Sequence, residues 1–303
     1  MIKAKRRILI KEGLLVVTTL IWGLGFIAQK VGGEYLDPYS FNFFRNLVAS
    51  IFLFSLVLIN CLINKKRHKE IKKINNKNLY LGGALIGICL AIAMTFQQIG
   101  INLEGAGKSG FITALYIVFV PVLGLMFGRK INPLILIACL LALTGLYLIN
   151  VNSEGFKFSK GTVYLLLCAL SYSAQIMLID KFSKDVDTLQ LSFFEFFTAT
   201  IVLIPFMLIL GSVTFEGIKN AGLAILFLGL FSSGIAYSLQ IYAQTEVNVN
   251  VACIIMSLES LFSLIFGVVF LKEKHGVIEL IGCILILLAV ILSQLEFKKI
   301  KKE

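Results

Sequence analysis

Histidine occurs only at His68 and His275, both in loops, so a metal site within the protein is not expected. The 6 cysteines, Cys61, Cys89, Cys139, Cys168, Cys253 and Cys283, all fall inside long apolar blocks without paired short spacing. They read as small buried apolar side chains rather than disulfides or ligands. Charged residues make up only 15% of the chain. No loop gathers carboxylates, histidines or basic groups into a catalytic cluster, and the longest loop, from Asn64 to Asn78, is Lys-rich with the single acid Glu70. A membrane-embedded enzyme is therefore disfavoured, and neither a cofactor nor a metal is expected.

What the chain has in abundance is apolar length. Apolar residues reach 58% of 303 positions, with a mean hydropathy of +0.92, against about 45–50% apolar in soluble domains. Ten stretches are long enough to span a bilayer: 13–31, 41–63, 79–100, 106–127, 134–150, 163–180, 190–210, 222–243, 249–270 and 277–294. A helix needs about 17–25 residues to cross ~30 Å of hydrocarbon. Barrel strands are shorter and alternate apolar with polar residues, and these blocks do neither. The reading is an all-α membrane protein of ten transmembrane helices. Lys3, Lys5, Arg6 and Arg7 before an apolar run resemble a signal peptide, but no Ala-x-Ala-like site follows.

The net charge of +11 follows topology and does not point to nucleic acid. With the N-terminus inside, 20 Lys and Arg fall on the cytoplasmic side and 7 outside, with Arg45 within a span. The positive-inside rule then places both termini in the cytoplasm of a multi-pass cell-membrane protein. Lys272 and Lys274 fit this least well. The basic cluster from Lys65 to Lys77 reads as a topological signal, with binding of anionic lipid a minority reading.

The chain also repeats itself at an offset of 150. Asp37, Phe43, Phe44 and Arg45 are echoed by Asp187, Phe193, Phe194 and Glu195, and Trp22 falls on Tyr172. Gln97 matches Gln240 at 143, Gly128 matches Gly267 at 139 and Cys139 matches Cys283 at 144, loop insertions explaining the drift. The organisation is a basic leader (1–12), a first repeat (13–150), a linker (151–161), a second repeat (162–295) and a basic tail (296–303). Five is odd, so the second repeat enters the membrane from the opposite face and the two five-helix repeats are inverted.

The run from Gly110-Phe111-Ile112-Thr113 to Val120-Pro121 resembles the fourth helix of drug/metabolite transporter superfamily permeases of the EamA-like type. Ser257-Leu258-Glu259-Ser260-Leu261-Phe262, the stretch Phe270-Leu271-Lys272-Glu273-Lys274 and Gly282 resemble their ninth and tenth helices. Trp22-Gly23 and Gly145-Leu146-Tyr147-Leu148 also fit. The resemblance runs from about Gly13 to Leu295. It implies a ten-helix carrier for small metabolites or drugs, with a central cavity lined chiefly by helices one, three, four, six, eight and nine. Where similar proteins often carry Pro after the ninth-helix Glu, this chain has Ser260, so the kink expected there loses its proline.

Polar groups inside the spans are the candidates for function, because a charge at the bilayer centre costs about 2.5–3.5 kcal/mol on insertion scales. Glu259 lies midway along its helix and shares a face with Ala252, Met256 and Ser263, a candidate to carry a proton or meet a cationic group. The fourth helix offers Ser109, Thr113 and Tyr116 on one face. The eighth carries the stripe Ser233, Tyr237, Gln240 and Gln244, and the third adds Gln97 and Gln98. Trp22, Tyr172 and Gln175 complete the pathway set, each with packing as its bland alternative. Arg45 and Glu195 occupy equivalent positions with opposite charge. Inversion separates them, so each is expected to snorkel to its own interface or to close a gate with partners such as Asp37 or Lys181.

Two motifs fail. Gly107-Lys108-Ser109 has Asn102 where the first Gly of a phosphate-binding loop belongs, and an apolar helix follows. Gly107-x-Ser109-Gly110 resembles an intramembrane serine nucleophile but has no histidine within the membrane to serve as base. Gly83-x3-Gly87 reads as a close-packing motif. The expectation is a secondary carrier, not an enzyme, working by alternating access on a small polar or amphipathic metabolite, amino acid-like or drug-like, with protons as a candidate coupling ion. The alternatives are an uncoupled facilitator, a membrane-embedded enzyme and a non-transporting receptor. The lipid bilayer is the expected surrounding, nucleic acid is not a partner, and a homodimer is left open.

Overall fold

The computed structural model describes residues 2–66, 76–104, 106–129, 131–150, 159–271 and 276–299. The basic cluster after Lys66, most of the linker, Lys272, Lys274, both histidines and the end of the tail lie outside the described residues, as does the side chain of Lys108. Among the described residues there are only helices joined by turns and short loops: 8 spans long and apolar enough to cross a membrane and two shorter apolar helices, Pro133–Leu148 and Val277–Ser293, complete two sets of five. The first set comprises α1 (Ile2–Gly32), α2 (Pro38–Lys66), α3 (Asn76–Glu104), the pair α4 (Ala106–Thr113) and α5 (Tyr116–Met126), and α6 (Pro133–Asn150). The second comprises α7 (Lys160–Phe182), α8 (Thr188–Leu210), a span in three pieces, the pair α11 (Val249–Met256) and α12 (Leu258–Leu271), and α13 (Val277–Lys299). The pieces of the eighth span are α9 (Phe215–Phe227), a π-helical stretch (Leu228–Ala236) and α10 (Tyr237–Gln244).

The echoed acids have a local cause. Asp37 Oδ1 accepts the backbone N–H groups of Tyr39 and Ser40 at 2.9 and 3.0 Å, and Asp187 Oδ1 accepts that of Gln190 at 2.9 Å. Each acid starts the second span of its half by satisfying N–H groups that an isolated helix end leaves open. Asp37 also accepts the N–H of Ser212 through Oδ2 at 2.8 Å, tying the start of α2 to the chain leaving α8. Burial pushes the Asp37 carboxyl up, but hydrogen bonds from Ser40, Ser212 and Tyr39 outweigh it and hold the group below its ordinary 3.8. The sign follows: its stabilisation is present in full above the unfolded value and is lost as pH falls through the lower folded one. Asp37→Ala is expected to cost about 1 kcal/mol, read as a lower melting temperature in detergent, with the difference from the parent shrinking in acid.

The repeat axis is marked by a contact between equivalent residues. Ser50 and Thr200, 150 positions apart, share a hydrogen bond of 3.0 Å. Five residues before each stand Arg45 and Glu195, which inversion carries away in opposite directions along antiparallel α2 and α8. At 1.5 Å per residue they lie roughly 15 Å apart along the axis, and among the described residues no ion pair joins them. Close approach of α3 to α8 needs Gly83 and Gly87. A Cβ on Gly87 would lie 2.4 Å from the Glu195 carbonyl oxygen, and one on Gly83 2.4 Å from Phe194 Cβ. The periphery is apolar and exposed, with Ile51, Leu136, Leu208, Ile209 and Leu223 among the outward side chains, as a lipid-facing belt requires.

Two spans that the hydropathy pattern renders continuous are interrupted. The fourth turns at Ala114 and Leu115 and the ninth at Ser257. The offset of 143 that carries Gln97 onto Gln240 carries Ala114 onto Ser257, so the breaks are equivalent. Ser257 makes its break without proline, its hydroxyl donating to the Ile254 carbonyl at 2.7 Å. The same offset sets Tyr116 against Glu259, which corrects the alignment of Glu259 with Val120 that the Gly128 and Gly267 match implies.

Candidate functional site

The interruptions bring polar side chains of both halves to the middle of the bundle. Tyr116, first residue of α5, donates its hydroxyl to Glu259 Oε1 at 3.1 Å across the breaks. Tyr237 of α10 donates to the hydroxyl of Tyr172 on α7 at 3.1 Å, and Tyr172 donates to Gln97 Oε1 on α3 at 3.3 Å. The Trp22 ring packs on Tyr237 with centroids 4.8 Å apart. These residues, with Thr113, Gln175 and Gln240, line one cavity, so nine of the pathway candidates come together. Seven spans contribute: the first, second, third, fourth, sixth, eighth and ninth. The cavity offers about 30 Å³ to the centres of water molecules, room for a few waters. A larger solute fits only if the walls move.

Arg45 departs from expectation. It is 2% exposed and lines the cavity instead of snorkelling to an interface. Its Nη1 donates to Gln29 Oε1 at 3.2 Å and its Nη2 to Ser233 Oγ at 3.4 Å, in place of the partner Asp37. Depth along a helix does not give the direction of a side chain around it, and α2 turns this one toward α1 and the π-helical stretch, where two neutral acceptors meet it. Glu195 is fully buried and does not line the cavity. Its Oε1 accepts from Gln175 Nε2 at 2.8 Å, not from Lys181.

Gln29, Phe26, Ile176 and Ser232 also line the cavity and were not among the candidates. Gln29 and Phe26 had a signal: with Trp22 they stand at i, i+4 and i+7 on α1. Conversely, Ser109, Ser233, Gln244 and Gln98 of the polar stripes are buried but lie off the cavity. Gln98 Nε2 instead donates to the Gln29 carbonyl and to Asn102 Oδ1, both at 3.1 Å. Several lining residues carry buried polar atoms without a protein partner: Trp22 Nε1, Arg45 Nε, Gln175 Oε1 and Gln240 Oε1. Buried polar groups are normally hydrogen-bonded, so these are donors and acceptors whose capacity the protein itself leaves unused. Among the described residues no group of three His, Cys, Asp or Glu could hold a metal ion.

At the end of the bundle that carries the N-terminus, ion pairs join the two sets of spans. Lys11 of α1 is buried, donates to Glu246 Oε1 at 3.0 Å and to Thr245 Oγ1, and lies 4.5 Å from the centroid of the Tyr242 ring. Arg7 reaches Glu246 Oε2 at 3.5 Å. Arg129, after α5, pairs with Asp180 of α7 at 2.7 Å, and Lys184 meets the same acid at 3.1 Å. At the opposite end Glu104 of α3 accepts a hydrogen bond from Ser159.

The model of the EamA-like transporter family matches this chain twice, over residues 9–151 and 159–295. An uncharacterized transporter of Archaeoglobus fulgidus is 30% identical over 92% of this chain and 96% of its own length, and a second from the same organism is 29% identical over 93% and 84%. A WAT1-related chloroplastic protein of Arabidopsis thaliana is 24% identical over 92% of this chain and 68% of its own. A solved crystal structure superposes with a TM-score of 0.75 at 16% identity, covering 95% of this chain and 98% of that one, which shows a shared fold.

Proposed function

Because the chain belongs to the EamA-like transporter family, we propose that its central cavity carries a small polar or amphipathic metabolite, amino acid-like or drug-like, across the cell membrane by alternating access. The observation that supports this best is the place of the cavity: between two sets of five spans, at equivalent breaks in the fourth and ninth, with polar groups supplied by both sets. Discontinuous helices at the interface of inverted repeats are how such carriers expose one site to each side in turn. In this reading both termini are cytoplasmic, and the Lys11–Glu246 and Arg129–Asp180 pairs hold the cytoplasmic end shut. Glu259 carries a proton or meets a cationic group of the solute, while Arg45 gives the same cavity a fixed cation. An uncoupled facilitator differs in leaving Glu259 as a recognition group alone.

The test is reconstitution. Metabolites that raise the melting temperature of the purified protein are taken into counterflow in liposomes. Exchange of at least one stabilising compound above protein-free liposomes is expected. A protein that binds such compounds and exchanges none of them is not a carrier for them, and the receptor reading takes over.

A further inference from the structure

Glu195 is a buried carboxyl that the cavity does not use directly. It sits in α8, fully enclosed, with Oε1 accepting from Gln175 Nε2 at 2.8 Å and Oε2 without a partner. Gln175 lines the cavity, and its own Oε1 also has no partner. Among the described residues no cation stands within ion-pair distance of the carboxyl. The groups facing it are Gln175 on α7, Cys89 on α3 and Tyr237 on α10, with Arg45 of α2 displaced along the axis.

A carboxylate with one neutral donor leaves its charge uncompensated in the interior. A carboxylic acid opposite a primary amide instead closes a ring of two hydrogen bonds, one N–H to O and one O–H to O. The two oxygens without partners, Glu195 Oε2 and Gln175 Oε1, are the proton carrier and the acceptor that such a ring needs. The other repeat uses a related construction with a permanent charge: Arg45, the counterpart of Glu195, bonds the amide of Gln29, which also lines the cavity. One repeat therefore sets a fixed cation beside a lining glutamine, and the other sets, behind one, a group that can gain and lose a proton.

We propose that the Glu195–Gln175 pair is a proton-binding site beside the cavity, and that its occupancy sets what Gln175 offers to a solute. With the proton on Glu195 Oε2, Gln175 Oε1 is engaged as acceptor and turned from the cavity. Without it, that oxygen is free to accept from a solute. The only covalent bond made or broken is the O–H bond, with the proton taken from water and returned to it. The link to a solute rests on the transport reading above, whereas the proton site does not.

The experiment needs no substrate. Infrared difference spectra are recorded on the full chain in phosphatidylcholine vesicles as pH is changed, reading the C=O stretch of protonated carboxyls, with Glu259→Gln as background to remove the other buried acid of the cavity. A titrating band is expected that Glu195→Gln abolishes, together with loss of one proton from the uptake that accompanies acidification. Gln175→Leu, which keeps the carboxyl and removes its partner, is expected to retain the band at shifted frequency and midpoint. A Glu195→Gln protein with the same bands and proton count as its parent overturns the site. If that variant fails to fold, Gln175→Leu decides, and bands unmoved by loss of the amide overturn it equally. Failure of counterflow with these results intact would remove the carrier reading and leave the proton site.

Discussion

Glu259→Gln is expected to lower solute flux at least about tenfold and to flatten its dependence on pH, as measured in liposomes over a series of external pH values. The substitution isolates the ionisable group. Glutamine keeps an oxygen that can accept the Tyr116 hydroxyl, so the contact across the two helix breaks is retained. A tenfold change corresponds to about 1.4 kcal/mol, a modest demand on a carboxyl enclosed among tyrosines and amides. Tyr116→Phe removes the hydrogen bond and keeps the acid. Its effect is expected to be smaller, about 0.5–1.5 kcal/mol, with the pH profile still present. A Glu259→Gln protein with unchanged rate and profile would take the coupling role away and favour the facilitator.

Breaking the Lys11–Glu246 pair is the second large effect expected. Lys11 is buried under Tyr242, and Glu246→Gln leaves its ammonium without the anion that compensates it. A partly exposed pair is worth less than a buried one, so the contact between the two sets of spans at the end that carries the N-terminus should lose about 1–2 kcal/mol, a factor of about 5–30 in the ratio of two states. The measurement is the rate at which a membrane-impermeant thiol reagent, applied from that side, labels a single reporter cysteine at Ile176 in a cysteine-free background. Faster labelling in Glu246→Gln, and return toward the parent rate in a Lys11→Glu, Glu246→Lys double exchange, are the expected results. Equal rates in all three proteins would mean that these pairs fasten the structure without gating it.

Ten helices were legible in the sequence because lipid offers a backbone no hydrogen-bond partners, so a crossing outside a closed barrel must be an apolar helix. The cavity was legible for a related reason: Gln97, Gln240 and Tyr237 had to turn away from hydrocarbon. The helix breaks were not legible. Ala114, Leu115 and Ser257 are ordinary residues for a helix, and the proline that marks such a place in similar proteins is Ser260 here. The breaks depend on how α4, α5, α11 and α12 pack, which no local pattern records. Arg45 was placed at an interface because its position along α2 is shallow, whereas its rotation toward Gln29 and Ser233 settles where it lies. Gln29 was legible in principle, since Trp22 and Phe26 lead to it at helical spacing.

The π-helical stretch of the eighth span has a consequence for how this chain tolerates change in length. A π segment is an α-helix that has taken in extra backbone without losing its course. Removing one residue between Leu228 and Ala236 would let the segment close to α geometry and absorb the loss, whereas the same deletion in the α-helical α9 would turn everything after it by about 100°. In the first case Tyr237 and Gln240 would stay at the cavity, and in the second they would swing from it toward their neighbours. The wide turn thus works as slack in the genetic sense: a single-codon deletion is absorbed there, whereas one in an α-helical stretch rewrites which side chains the interior displays.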